Sequence, residues 1–312
     1  MSNFSEVLNA VPGSSLLDYK LTSRVQTIDY NGIEVGVKRD DELSCTISGS
    51  KFRKYASLVP YLLENGFTHV VSEGSEYSNN ICGLAQLLNE YEITYTFFLK
   101  EGSSKNAVNG KLLKLLAPEK SLKLIKKSDW KSRQQIISNY IETLNSEKPI
   151  FLKEGSDHFS AIPGSMTLAY DIEISKYSSI YIDAGTGVSF IGLYLGLCQR
   201  GYKGTVYVIS LFENRSYFEQ KISECIKTLN LKPFENMANF EVIYPEDSKS
   251  FGSSTSKTMQ NIEKLAKGYG ILTDPLYSGR SIPRALDHIL EHQNKNALVI
   301  HSGGSIALSG FI

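Results

Sequence analysis

The sequence predicts an α/β protein built on mostly parallel sheets, and three observations carry that prediction. Short apolar runs with strand character alternate with segments of helical periodicity through most of the chain. Small-residue turns stand where a strand gives way to a helix, at 73–80, 183–189 and 273–280. The chain has 312 residues, more than one ordinary core, which fits two domains or one large α/β unit.

The first element departs from this rhythm. Residues 27–37 alternate in side-chain polarity around Asn31-Gly32. That dipeptide tolerates the positive φ of a two-residue turn, so an antiparallel hairpin is expected. The apolar-periodic run after Ser48-Gly49-Ser50 reads as a helix beginning near Lys51. Residues 68–72 read as a short buried strand. A helix over 79–91 follows, with Ile81, Leu84, Ala85, Leu87 and Leu88 apolar. A strand at 93–99, a helix at 107–116, a strand at 122–125, a helix at 136–144 and an extended segment at 149–152 come next. After a Gly/Ser/Pro-containing stretch at 154–164, a helix is expected at 166–175 and a buried strand at 180–182. The remaining helices are placed at 191–199, 218–229, 259–266 and 282–290. Extended segments at 206–211, 240–244 and 271–273 separate them, and 297–301 closes the sheet. No repeat or low-complexity segment is present.

Composition narrows the function classes. Lysine plus arginine and aspartate plus glutamate both number 33, a formal net charge of zero. No electrostatic case exists for nucleic acid or an anionic membrane as partner. The cysteines, Cys45, Cys82, Cys198 and Cys225, form no C-x-x-C pair or zinc spacing, and read as reduced thiols. The first twenty residues lack the pattern of a signal peptide, and no apolar run is long enough to span a bilayer. A cytoplasmic protein with no metal is expected.

Several segments carry chemistry. Lys51 follows small residues that let the backbone approach a bound group, at a helix start. A lysine held in a cleft loses proton affinity and becomes able to form a Schiff base. Ser78, Asn79 and Asn80 open a helix at the end of a strand, where hydroxyl, amide and backbone N–H donors suit a carboxylate. Capping by Ser78 or Asn79 explains one of them but not the cluster. The turn Asp183-Ala184-Gly185-Thr186-Gly187-Val188-Ser189 suits a phosphate. It lacks the Gly-Lys-Ser/Thr of a nucleotide-binding loop, and Phe190 stands where a dinucleotide fingerprint has its third glycine, so a single phosphate fits best. Tyr277, in Asp274-Pro275-Leu276-Tyr277-Ser278-Gly279, sits at the same predicted rim, as does His301-Ser302-Gly303-Gly304.

A reactive lysine, a carboxylate seat, a monophosphate cup and a rim tyrosine point to pyridoxal phosphate chemistry. In this ordered set the chain resembles the 1-aminocyclopropane-1-carboxylate deaminase and D-cysteine desulfhydrase family, with the tryptophan-synthase-β-like fold (fold type II). The resemblance runs from about Val37 to Gly304. It implies a larger cofactor-binding domain of residues 1–54 plus 163–312 and a smaller α/β domain of 55–162, with the cofactor in the cleft between them, and a homodimer. It implies that Lys51 carries pyridoxal 5'-phosphate and serves as a base. Ser78 and Asn79 would bind the carboxylate of a small amino-acid substrate, helped by Tyr77, Asn80 and Phe251. Lys54, Asn79, Gly185, Thr186, Gly187, Val188, Ser189, Ser278 and Ser302 would hold the cofactor, and Lys51, Ser78 and Tyr277 would be catalytic.

Departures from the family pattern bear on the reaction. Ser50 replaces an asparagine before the lysine, and Asn80 replaces a histidine or glutamine. Ser278 stands where cyclopropane deaminases carry a glutamate, and Phe251 aligns loosely with a second active-site tyrosine. The implied activity is α,β-elimination giving a 2-oxo acid and ammonia, as in D-cysteine desulfhydrase. A β-replacement synthase or a cyclopropane deaminase is the alternative, and a non-catalytic binder ranks behind both.

Overall fold

The structure, a computed structural model, describes residues 16–44, 46–47, 49–102, 108–145, 147–231, 234, 237–245 and 255–310. Strand β1 (Val25–Tyr30) pairs antiparallel with β2 (Ile33–Lys38). Asn31 and Gly32, at φ 53° and 85°, make the expected turn. Helix α1 (Ser50–Glu64) leads to β3 (His69–Ser75), α2 (Asn79–Glu90), β4 (Thr94–Lys100), α3 (Val108–Leu116), β5 (Leu122–Ile125), α4 (Arg133–Ile141) and β6 (Pro149–Leu152). Then follow α5 (Ile162–Tyr170), β7 (Ser179–Ala184), α6 (Val188–Gln199), β8 (Thr205–Ser210), α7 (Arg215–Thr228), β9 (Asn239–Ile243), α8 (Ser256–Tyr269), α9 (Ser278–Glu291) and β10 (Ala297–Ile300).

These strands form two sheets. One has the order β1-β2-β10-β7-β8-β9 and is parallel apart from the β1–β2 hairpin. The other, β5-β4-β3-β6, is parallel throughout. Parallel strands are covered by helices on both faces, which is why 69–74 and 297–300 are buried at every position.

Most expected elements are present, with three differences. Residues 271–273 join no sheet: the Leu272 carbonyl accepts from His301 Nε2 (2.8 Å) and Ser305 Oγ (3.0 Å), so side chains take the place of a ladder. The segment 297–301 does not close the sheet at an edge, because β10 lies between β2 and β7. The helix expected at 166–175 occupies Ile162–Tyr170, since Pro163 in its first turn pre-sets the helical φ.

Helices α1, α5 and α6 meet through small residues. A Cβ on Gly164 would come 2.1 Å from the Arg53 carbonyl oxygen, and one on Gly192 would come 2.2 Å from Ser165 Cβ. Only glycine permits such backbone approach. One apolar cluster runs from Tyr55, Leu58 and Leu62 through Ile162 and Met166 to Phe190 and Leu193.

Behind α1 lies a buried ionic cluster. Arg53 Nε and Nη2 hold the two carboxylate oxygens of Asp40 at 2.6 and 2.7 Å. Nη2 also reaches Asp171 (2.7 Å), and Nη1 donates to the Leu21 carbonyl (2.7 Å) and Thr167 Oγ1 (3.2 Å). Lys38 adds a bond to Asp171 at 2.7 Å. Asp40 is fully buried, so removing its partner strands a charge out of water. Arg53→Met is expected to lower the unfolding free energy by about 3–5 kcal/mol. Urea denaturation of the two proteins measures this, and a change below about 1 kcal/mol would refute the structural role given to Arg53.

Candidate active site

A cavity of about 380 Å³ opens between the two sheets. Its wall combines Ser50, Lys51 and Lys54 of α1 with Gly74, Ser75, Ser78 and Asn80 around the end of β3. Opposite lie Asp183 to Phe190, Tyr277 and Ser302. The C-terminal ends of parallel strands from both sheets therefore face one space, the usual ligand position in open α/β sheets.

Lys51 enters this space because of a tight backbone contact. Gly49 has φ 42°, and a Cβ there would come 2.0 Å from the Ser302 carbonyl oxygen. The Ser50 N–H donates to that same oxygen at 3.0 Å. The start of α1 thus hangs on the loop after β10. Among the described residues the Lys51 amine makes no hydrogen bond or ion pair, and it lies 5.7 Å from the centroid of the Tyr277 ring. Burial pushes its proton affinity down, and Asp183 and Asp274 oppose the shift. Lys54, one turn on, donates to the Gly155 carbonyl. Burial and the neighbouring Lys51 lower its amine well below the usual lysine value.

The turn after β7 forms the facing wall. Gly187, at φ 88°, precedes α6 and offers no side-chain cap. The first amides of α6 are thus left without a side-chain acceptor, and the residues that carry them line the cavity. Gly185 has room, since a Cβ there would first meet Tyr277 at 3.7 Å. The Ser50 and Ser189 hydroxyls lie 3.3 Å apart across the cleft. Two lysines deprived of water and an uncapped helix N-terminus fit a phosphate-bearing, carbonyl-bearing cofactor.

Ser78 caps α2, its Oγ accepting from the Ile81 N–H (3.2 Å), and it lines the cavity as well. Asn80 also lines it, while its Nδ2 donates to Ser156 (3.0 Å) and its carbonyl accepts from Tyr55 (2.7 Å). Tyr77, Asn79 and Ser278 are not in the lining. Asn79 Oδ1 accepts from Asn109 (2.7 Å), and its Nδ2 is buried with no hydrogen-bond partner among the described residues. Ser278 gives its hydroxyl to Asp274 Oδ2 (2.7 Å) and accepts from the Asp274 N–H (2.8 Å). Phe251 lies outside the described residues.

Tyr277 is positioned by Asp274, whose Oδ1 accepts from the Leu276 and Tyr277 N–H groups at 2.8 Å each. Burial, then Asp274, Glu154 and Asp183, raise the phenol far above its ordinary value. Tyr277 therefore keeps its proton throughout the neutral range.

The sequence reading missed part of the wall: Lys100, Trp130, Glu154, Gly155, Asp183 and Tyr217. Lys100 Nζ and Arg133 Cζ lie 5.9 and 4.9 Å from the centroid of the Trp130 ring. These residues come from loops and strand ends distant in sequence, and carry no local signal. Asp183 did carry one, an acidic residue ending a buried strand just before a glycine turn. Among the described residues no cluster of His, Cys, Asp or Glu could hold a metal ion, and no helix is long and apolar enough to cross a membrane.

Known proteins match this chain over nearly its full length. The family model described as "Pyridoxal-phosphate dependent enzyme" matches residues 24–303. A bifunctional D-cysteine desulfhydrase/1-aminocyclopropane-1-carboxylate deaminase of Arabidopsis thaliana, described as mitochondrial, is 25% identical over 299 residues, covering 89% of this chain and 74% of the relative. A putative 1-aminocyclopropane-1-carboxylate deaminase of Thermotoga maritima is 24% identical over 285 residues, covering 89% and 90%. The crystal structure of an ACC deaminase homologue superposes with a TM-score of 0.81 at 22% identity, covering 100% of this chain and 97% of that one.

Burial and the nearby Glu73 raise the Glu154 carboxyl above its ordinary 4.5. The folded state thus favours the protonated form, and ionisation at neutral pH costs stability. The penalty is absent below the ordinary carboxyl value and grows as pH rises through the raised one. Glu154→Gln is expected to raise the melting temperature at pH 7–8, with the gain vanishing below pH 4.5. Thermal unfolding of both proteins across that range measures it, and an unchanged or lower melting point at neutral pH would contradict the assigned environment.

Proposed function

Because the chain belongs to the pyridoxal-phosphate dependent enzyme family, we propose that it is a lyase performing α,β-elimination on a small amino acid of the D-cysteine type. The observation that carries this is the Lys51 amine, lowered in proton affinity and without a hydrogen bond among the described residues, across the cavity from the uncapped start of α6. The activities named for the relatives support the substrate class. In the reaction the α-proton leaves, the β-substituent departs with its bonding pair, and water converts the remaining enamine to a 2-oxo acid and ammonia.

Pyridoxal phosphate, when bound, supplies the electron sink at the substrate α-carbon. Gly185 to Ser189 would hold its phosphate with backbone amides, with Lys54 lining the same cavity. Lys51 would hold the cofactor through Nζ and would move the α-proton. Its lowered proton affinity favours the unprotonated amine that a base needs. Ser78 and the α2 N-terminus take the substrate carboxylate. Tyr277, holding its phenolic proton, stands beside Lys51 as proton donor to the leaving group. We read residues 1–54 with 163–312 and residues 55–162 as two domains with the cofactor in the cleft between them, in a homodimer.

The purified holoprotein is expected to show an absorption band at the visible edge that borohydride bleaches. Lys51→Ala is expected to abolish that band; a band that survives and resists borohydride defeats the assignment of Lys51. Tyr277→Phe is expected to keep the band and lower turnover by about 10²–10⁴-fold. A panel of D- and L-amino acids, scored for sulfide, ammonia and 2-oxo acid with and without added thiol, tests the reaction. Release of 2-oxo acid without thiol supports elimination. Product formed only with thiol, or only from the cyclopropane substrate, overturns it.

A further inference from the structure

A pyridine ring that is held protonated needs a nearby anion. Position 278 does not provide one: Ser278 is neutral and its hydroxyl is given to Asp274. Asp274 is not available either, because its oxygens accept from Leu276, Tyr277 and Ser278 and it lies outside the cavity lining. Three carboxylates line the cavity: Glu154, Asp183 and Glu213. Glu154 keeps company with Glu73, Arg133 and Lys100 on the side of the smaller sheet. Glu213 lies beyond the end of β8, its N–H bonded to Ser210 Oγ at 2.9 Å. Asp183 alone of the three stands with Lys51 and Ser302, the groups whose charge or hydroxyl act on its carboxylate.

We infer that Asp183 is the residue that keeps the pyridine nitrogen of the cofactor protonated, a role that rests on the pyridoxal phosphate reading above. Its Oδ1 is buried with no hydrogen-bond partner among the described residues, although it lines the cavity. An orphaned carboxylate oxygen is costly unless a ligand satisfies it, and an N–H⁺ donor is the strongest satisfaction available. The place agrees. Asp183 is the penultimate residue of β7, two residues before the phosphate turn opens at Gly185, and Ser302 follows β10, the strand hydrogen-bonded beside β7. Ser302 and Asp183 share the wall made by the ends of β10 and β7, and Asp183 Oδ1 is the orphaned carboxylate oxygen on it. Burial already raises the Asp183 carboxyl, with Ser302 and Lys51 pulling it back. A cationic ring would hold it ionised.

The test reads the ring nitrogen directly. The holoprotein is reconstituted with pyridoxal phosphate labelled with ¹⁵N in the ring, and the nitrogen resonance is recorded for the wild type and Asp183→Asn. The expected result is the strongly upfield resonance of a pyridinium nitrogen in the wild type, lost in the variant. In parallel, affinity is compared for pyridoxal phosphate and its analogue with carbon in place of the ring nitrogen. The wild type is expected to prefer the natural cofactor by about 10–100-fold, the worth of one charge-assisted hydrogen bond, and Asp183→Asn to lose most of that preference. An unprotonated nitrogen in the wild type overturns the inference even if the variant fails to fold. A pyridinium signal that persists in Asp183→Asn overturns it as well. Failure of the wild type to bind the cofactor at all would instead defeat the reading on which it rests.

Discussion

The geometry of the site depends on one buried guanidinium. Arg53 spends all five of its N–H donors on groups from four separate parts of the chain: Asp40, Leu21, Thr167 and Asp171. A charge this far from water is tolerable only when every donor is satisfied. The start of α1 is therefore held in one orientation. Lys51 and Lys54 are three residues apart on the helix and share a face, which is the face turned to the cavity. Arg53, between them, points into the protein. The residue that anchors the helix and the residues that do chemistry are thus neighbours in sequence with opposite destinations.

A second constraint sets depth rather than direction. Gly49 presses backbone against backbone at Ser302, and Gly164 lets α5 do the same to α1. These contacts bring Lys51 to the rim of the larger sheet, where Asp183, Tyr277 and Ser302 lie. They bring it also within reach of Ser78 and Asn80 from the smaller one. Interiors packed this closely do not deform gradually.

The charges around the cleft are correspondingly out of balance in the protein by itself. Burial lowers the proton affinity of Lys51 and Lys54 and raises that of Asp183 and Glu154, so the charged form of each group is disfavoured. Perturbed titratable groups collected in one cavity are the mark of a functional site. The imbalance is what a ligand with phosphate, ring nitrogen and carbonyl would relieve, and stability is given up locally in exchange for binding.

The alternation of apolar strands with periodic helices was legible in the sequence because it is a local property, repeated from residue to residue. So were the Asn31-Gly32 turn, the small residues ahead of Lys51 and the glycines after β7, since each is demanded by backbone conformation at its own position. The sequence pattern also carried the family, because its motifs follow one another in a recognisable order. What it did not carry was which side chains face one another. Ser278 was expected to hold the cofactor and bonds Asp274, while Asp183, expected only as the start of the phosphate turn, lies within β7 and lines the cavity. Residues 271–273 looked like a strand, yet their carbonyl partner is a histidine thirty residues on. The strand at 297–300 looked terminal and became central. Those outcomes rest on contacts between segments far apart in the chain, and they are decided by packing and hydrogen-bond satisfaction across the sheets, quantities that no single segment contains.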